Sequence, residues 1–357
     1  MNAPRFTPDT RVGPETIRDY ADIIDVRTPD EFDDDHIPGA INFPVLSTEE
    51  RAHVGTLNAQ ASAFEAKKVG AALIARNIAG IVERCRERPR EWAPLVYCWR
   101  GGQRSRSLTH VLNEIGWRAV QLDGGYRAYR RQVVDRLVLL PSRFNYRVVC
   151  GMTGSGKSRL LCAFEAEGAQ DLDLEDHAKH RGSLLGDLPD ELQPTQKRFE
   201  SLILDELERF DAARPVIVES ESKRIGRLQV PDALLEAMRA APCLRVDVPT
   251  ASRVALLKEE YAHFLADPAL LAQRLAPLVP LHGKAKVERW NAQAASGEFD
   301  ALVESLLVEH YDPTYARAIE RNFPNFPQAL LAAPAGIEPE ALRSTARAVI
   351  ETLGRMP

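Results

Sequence analysis

Gly151-Met-Thr-Gly-Ser-Gly-Lys-Ser158 meets the phosphate-loop pattern G-x-x-x-x-G-K-[ST] at every fixed position. An apolar run from Tyr146 to Cys150 precedes it, and a second apolar stretch through Leu160, Leu161, Ala163 and Phe164 follows. Strand, glycine-rich turn and helix in that order are what such a loop needs. Gly151, Gly154 and Gly156 let the backbone N–H groups around Thr153 and Ser155 curl toward phosphate oxygens. Lys157 supplies a fixed positive charge, and the helix N-terminus adds its dipole. Ser158 would hold Mg²⁺ where a metal is bound; no tightly bound cofactor is otherwise expected. The loop reads a diphosphate and says nothing of what the diphosphate carries.

Working downstream, Val216-Ile-Val-Glu219 reads as a strand ending in a carboxylate, and another strand is expected over 243–248. Helices are expected around 195–210, 231–241, 251–266 and 284–308. Residues 146–357 thus predict a P-loop NTPase-like α/β domain with a helical C-terminal part. Asp173, Glu175, Arg181, Glu219, Glu221 and Arg224 are candidates for a second layer around the phosphates, and a solvated charged loop is the competing reading of the first three.

Upstream, Pro141 interrupts the pattern, so residues 137–145 are expected to link to a second α/β unit over 1–136. There Ile-Ile-Asp-Val (23–26) and Leu-Val-Tyr-Cys (95–98) read as buried strands, 48–88 as helical up to Pro89, and 105–115 as a helix closed by Gly116. Between strand and helix stands Cys98-Trp-Arg-Gly-Gly-Gln-Arg-Ser105. A cysteine at that junction, ringed by Arg100, Gly101, Gly102, Gln103, Arg104 and Ser105, faces converging N–H groups and two guanidinium groups. Those surroundings favour thiolate, the nucleophilic form, and make Cys98 the candidate catalytic residue.

Composition narrows the rest. A chain of 357 residues with 45% apolar content exceeds one ordinary core. Five scattered cysteines suit neither a disulfide framework nor a zinc site. No apolar run is long enough to span a bilayer, and the first residues lack the pattern of a signal peptide, so a cytoplasmic protein without a membrane partner is expected. The net charge of −5 argues against nonspecific nucleic-acid coating, yet residues 84–106 hold seven Arg against two Glu.

Asp25-Val-Arg-Thr-Pro-Asp-Glu-Phe32, His36-Ile-Pro-Gly-Ala-Ile-Asn-Phe-Pro44, the Cys98 loop and Leu122-Asp-Gly-Gly-Tyr126 resemble the rhodanese family, in the family's order, over roughly residues 15–135. That resemblance implies a persulfide-type carrier thiol at Cys98. It departs from the usual sulfurtransferase loop, since five residues rather than four separate Cys98 from Arg104. The longer loop resembles that of rhodanese-fold phosphatases, and a phosphatase or sulfurtransferase fused to a P-loop NTPase stays open as an alternative.

With the P-loop, His180-Arg-Gly-Ser183 and Glu219-Ser-Glu-Ser-Lys-Arg-Ile-Gly226 added, the chain resembles the tRNA 2-selenouridine synthase family over nearly its whole length. The resemblance implies a transferase acting on wobble 2-thiouridine in the anticodon arm of tRNA. Sulfur would be S-geranylated with geranyl diphosphate, then replaced by selenium from selenophosphate through a Cys98 perselenide. A selenophosphate-supplying enzyme is a further partner in that scheme. Candidate tRNA contacts are Arg127, Arg130, Arg131, Lys284, Lys286 and Arg289, each also readable as plain surface charge.

Overall fold

The computed structural model describes residues 11–354; the first residues, read above for a leader, lie outside them. The chain divides into one unit of Met1–Arg136 with Thr195–Asp205, and another of Leu137–Pro194 with Glu206–Pro357.

In the first unit, β1 (Arg11–Val12), β2 (Ile23–Asp25), β3 (Ile41–Asn42), β4 (Leu95–Tyr97) and β5 (Val120–Leu122) form a sheet in the order β1-β5-β4-β2-β3. Every pairing is parallel. Both faces of β2, β4 and β5 are buried, so their polar members, Asp25 and Gln121, are buried as well and take hydrogen-bond partners: Asp25 pairs with Arg27, and Gln121 donates to Gly101 and Ser105. The expected helix over 48–88 is two helices, Thr48–Gln60 and Ala63–Arg84. Ser62 separates them, its hydroxyl accepting from the Glu65 N–H at 3.1 Å as the cap of the second. Ile78 and Ile81 from that helix pack with Ile24, Val96, Leu108 and Leu112 to form the core.

The boundary differs from the expected one. Helix Gly125–Leu139 runs into the stretch 137–145 anticipated as a linker, and Asn145 already begins a strand. Thr195–Asp205, expected in the C-terminal domain, completes the first unit instead. Ser201 Oγ donates to Asp35 Oδ2 at 3.0 Å, Lys197 Nζ to Asp34 at 2.6 Å, and Arg198 to the His36 carbonyl at 3.0 Å. Asp35 is fully buried and takes its other hydrogen bond from the Tyr126 hydroxyl at 2.8 Å. Three polar residues spread along one helix leave no compositional mark, so sequence order misassigned the segment.

The second unit holds a parallel sheet in the order β12-β11-β6-β8-β7, from β6 (Asn145–Gly151), β7 (Gln170–Leu172), β8 (Pro215–Glu219), β11 (Cys243–Val246) and β12 (Leu330–Ala332). A small antiparallel pair, β9 (Arg224–Ile225) and β10 (Leu228–Gln229), stands apart. After β6 the chain goes outward to β7 and later returns to β11 on the other side. The carboxyl end of β6 is therefore a topological switch point, where open α/β sheets bind ligands. Helix Lys157–Ala166 starts there, and Pro339–Gly354 covers it, with Leu342, Ala346 and Val349 packed on Leu160, Leu161 and Phe164. The helical part carries its own core around Trp290, Leu271, Leu275 and Leu302. Its expected helix over 284–308 is broken at Gly297, whose φ of +77° ends Lys284–Ser296 before Phe299–Leu306 begins. No helix among the described residues is long and apolar enough to cross a membrane.

Candidate functional site

Each unit carries one constellation. In the first, β4 delivers Cys98 to the start of helix Gln103–Ile115, where the thiol is buried. Its sulfur accepts from the Gly102 N–H and the Ser105 hydroxyl, both at 3.2 Å. Gln121 braces the loop from β5, its Nε2 donating to the Gly101 carbonyl and Ser105 Oγ at 2.7 Å each. Gly125 is required by close approach: a Cβ there would fall 2.2 Å from the Cys98 carbonyl oxygen and 2.4 Å from the Gly101 nitrogen.

The two arginines expected around the sulfur part ways. Arg100 is exposed and pairs with no acid among the described residues. Arg104 instead grips Glu31, at 2.6 Å and 3.3 Å. Glu31 also closes the capping box of helix Pro29–Asp34, accepting from the Thr28 N–H while Thr28 Oγ1 accepts from the Glu31 N–H. Burial would raise the Glu31 carboxyl, but the Arg104 hydrogen bond and charge, with the Thr28 N–H, hold it below its ordinary value. The stabilisation is therefore complete above the unfolded-state glutamate pKa and is lost as pH falls through the lower folded one. Replacing Glu31 by Gln should cost about 1–2 kcal/mol near neutrality, and the gap to wild type should close in acid. Urea denaturation at a series of pH values, read by tryptophan fluorescence, checks this; a gap independent of pH would refute it.

In the second unit the P-loop spans β6 and helix Lys157–Ala166, with Gly154 and Gly156 at φ +76° and +75°. Lys157 Nζ donates to the Gly151 carbonyl at 3.1 Å and lies 5.1 Å from the Tyr315 ring centre. Burial works to lower its pKa, yet Tyr315, Glu219, Glu175 and Glu221 together raise it. One oxygen from each of Glu175, Glu219 and Glu221 falls within 4.8 Å of the others. Glu219 is fully buried, and among the described residues neither of its oxygens has a partner within hydrogen-bonding geometry. Burial pushes all three carboxyls above their ordinary values; mutual repulsion adds to this for Glu175 and Glu221, while Lys157 pulls the other way. Ser158 Oγ donates to Glu175 at 3.3 Å. An all-oxygen set with an orphaned buried carboxylate beside a P-loop serine suits a hard divalent cation. His180-Arg-Gly-Ser183 turns over this cluster at Gly182, where a Cβ would meet Glu175 at 2.6 Å. Asp173 caps the short helix that carries Glu175, accepting from the Asp176 N–H at 2.8 Å.

These groups open onto a cavity of about 590 Å³ whose remaining walls include Leu188, Leu257, Tyr261, Tyr311, Ile319 and Phe323. A small apolar recess of about 50 Å³ shares Thr153, Leu257, Tyr261 and Tyr311 with it. Arg181 lines the cavity, held by the Glu260 carbonyl at 2.6 Å, whereas Arg224 sits on β9 away from it. Sequence reasoning missed Arg253, His310, Tyr311 and Tyr315. Arg253 is buried and donates to the Thr153 carbonyl at 2.9 Å and to Asp312 at 3.0 Å, pinning the loop. The Tyr315 hydroxyl meets Ser220 Oγ at 2.6 Å. The spacing of Tyr311 and Tyr315, four apart on one helical stretch, was the available signal.

Among the basic residues expected at tRNA, Arg127 and Arg131 are exposed and free of ion pairs among the described residues. Arg130 is committed to Glu200, Lys286 to Glu309 at 2.7 Å, and Arg289 to Glu309; Lys284 lies 3.5 Å from Glu288.

A family model described as the tRNA 2-selenouridine synthase AAA domain matches residues 144–274, and a rhodanese-like domain model matches residues 15–132. A tRNA 2-selenouridine synthase of Aeromonas salmonicida is 35% identical over 304 residues, covering 82% of this chain and 80% of the relative. Those of Nitrosomonas europaea and Cupriavidus necator are 33% identical, over 76% and 82% of this chain and 72% and 87% of theirs.

Proposed function

Since the chain belongs to the tRNA 2-selenouridine synthase family, we propose that it exchanges sulfur for selenium at wobble 2-thiouridine of tRNA in two displacements, one on each unit. The observation that carries the first is a P-loop opening onto a cavity with apolar and aromatic walls. A diphosphate fits the loop and an isoprenoid fits those walls, which supports geranyl diphosphate over a nucleotide. The thiouridine sulfur attacks the first geranyl carbon and diphosphate leaves. Lys157 and the loop N–H groups hold the charge that develops on it. A divalent cation held by Ser158 and the three glutamates would neutralise further charge on the same leaving group.

Alkylation turns a poor sulfide leaving group into a thioether-like one, so the second displacement becomes feasible. The Cys98 thiolate attacks the selenium of selenophosphate, and the Se–P bond breaks with its electron pair on phosphorus, giving phosphite and a Cys98 perselenide. The terminal selenium then adds to C2 of the base as geranylthiolate departs. An external thiol cuts the S–Se bond, releasing 2-selenouridine and leaving a mixed disulfide on Cys98 that a second thiol reduces. The Gly102 N–H and Ser105 hydroxyl supply the hydrogen bonds that a charged sulfur or selenium needs. Arg127 and Arg131 remain the first candidates for tRNA phosphate contacts. Mass analysis of tRNA nucleosides after incubation with geranyl diphosphate and selenophosphate tests the scheme: S-geranyl-2-thiouridine followed by 2-selenouridine is expected, and an unchanged 2-thiouridine would refute it.

The cation assignment has its own test. Changing Glu219 to Gln removes a buried negative charge from a repelling cluster, so the metal-free protein should melt at a higher temperature than wild type. The stabilisation that Mg²⁺ gives wild type should shrink. A variant stabilised by Mg²⁺ as strongly as wild type would move the metal elsewhere.

A further inference from the structure

The wall of the cavity that the P-loop opens onto contains an irregular turn. Helix Phe299–Leu306 does not pass evenly into helix Asp312–Asn322; residues Leu307–Tyr311 form a π turn between them. Such turns insert an extra residue, re-aim side chains and recur at functional sites. This one brings His310 and Tyr311 to the cavity that Lys157 and Ser158 also line. His310 is buried, with 8% of its surface exposed, and its Nδ1 lies 2.9 Å from Nε2 of His282. His282 in turn stands edge-on to the buried Trp290, ring centres 5.3 Å apart. Nε2 of His310 has no hydrogen-bond partner among the described residues. Burial, with His282 beside it, keeps the His310 pKa below that of an ordinary imidazole.

Alkylation of 2-thiouridine creates a demand that nothing described so far meets. A thiocarbonyl alkylated while N3 keeps its hydrogen is a cation, and only loss of that proton gives the neutral S-alkyl base. Glu175, Glu219 and Glu221 converge on the cation position, and the Tyr315 hydroxyl is bonded to Ser220. We propose that His310 is the general base of the alkylation step, oriented by His282. This rests on the geranylation reading above. As the S–C1 bond forms, the C1–O bond breaks and diphosphate leaves with its electron pair. The N3 proton moves to Nε2 of His310, and the N–H pair becomes the C2=N3 double bond. Nδ1–H donating to His282 leaves the lone pair on Nε2, the tautomer that accepts the proton.

The test uses the full chain with His310→Ala and 2-thiouridine tRNA. Geranylation turnover should fall about 10²–10³-fold, while the affinity for geranyl diphosphate stays as in wild type. Added imidazole should restore turnover, and pyrazole, of the same shape but far weaker as a base, should not. Selenation of pre-geranylated tRNA should proceed at the wild-type rate. Wild-type geranylation by His310→Ala, or equal rescue by both azoles, would overturn the assignment. If the alanine variant fails to fold, His310→Gln replaces it, since the amide keeps a donor toward His282 and cannot take the proton; normal turnover there overturns the proposal equally. Should wild type itself form no S-geranyl base, the geranylation reading falls and the role of His310 with it.

Discussion

Changing Cys98 to Ser is expected to abolish selenium incorporation while S-geranylation of tRNA continues. The substitution is nearly isosteric. The hydroxyl keeps its place at the end of β4, and the Gly102 N–H and Ser105 Oγ that approach within 3.2 Å of the sulfur keep an acceptor. What disappears is the sulfur atom that bonds selenium. Removing a covalent nucleophile costs on the order of 10⁴–10⁶ in turnover, which places selenation below detection. The P-loop belongs to the other unit, and the alkylation proposed for it asks nothing of the thiol. Nucleoside mass analysis of the variant should therefore find S-geranyl-2-thiouridine accumulating in place of 2-selenouridine. Selenouridine at the wild-type level would remove the perselenide from the mechanism.

The second large effect is expected from Lys157→Ala. Among the residues of the loop itself, Lys157 carries the only positive charge. Tyr315 and the glutamates favour that charge, against the opposing pull of burial. Loss of one such stabilising group costs about 10²–10³ in rate. Here the loss also leaves the three glutamates without their nearby cation, so affinity for geranyl diphosphate should drop as well. The variant becomes diagnostic when it is given tRNA that is already S-geranylated. If only the first displacement needs a bound diphosphate, selenation should return to the wild-type rate. A folded, tRNA-binding variant that cannot selenate this substrate would mean that the P-loop serves both steps. A variant that geranylates normally while losing ATP binding would assign the loop to a nucleotide.

Both reactive loops were legible in the sequence because each is local. A strand, a glycine-bearing turn and a helix within about a dozen residues specify the backbone that surrounds the anion, and both predicted loops fold that way. The partners that adjust each loop come from far along the chain. Glu31, which takes Arg104 away from the sulfur, is 73 positions from it. Arg253, which fixes the Thr153 carbonyl, is 100 positions from it. His310 depends on a π turn that no periodicity signals, because the helical pattern continues on either side. Glu219 was readable as a carboxylate at a strand end. Its convergence with Glu175 and Glu221 depends on the order of strands in the sheet, which local pattern does not contain.

The segment Thr195–Asp205 also sets a timetable. A nascent chain that has released Arg136 still lacks the residues that satisfy Asp34 and Asp35, so its first unit cannot finish folding at that point. Roughly 70 more residues must emerge, a delay of about 3–14 s at ordinary rates of translation. Over that interval the P-loop and most of its first helices leave the ribosome ahead of the piece that closes the earlier unit. The first unit thus closes late although most of it is encoded early, its buried Asp35 waiting for a hydroxyl that the ribosome delivers only after the P-loop.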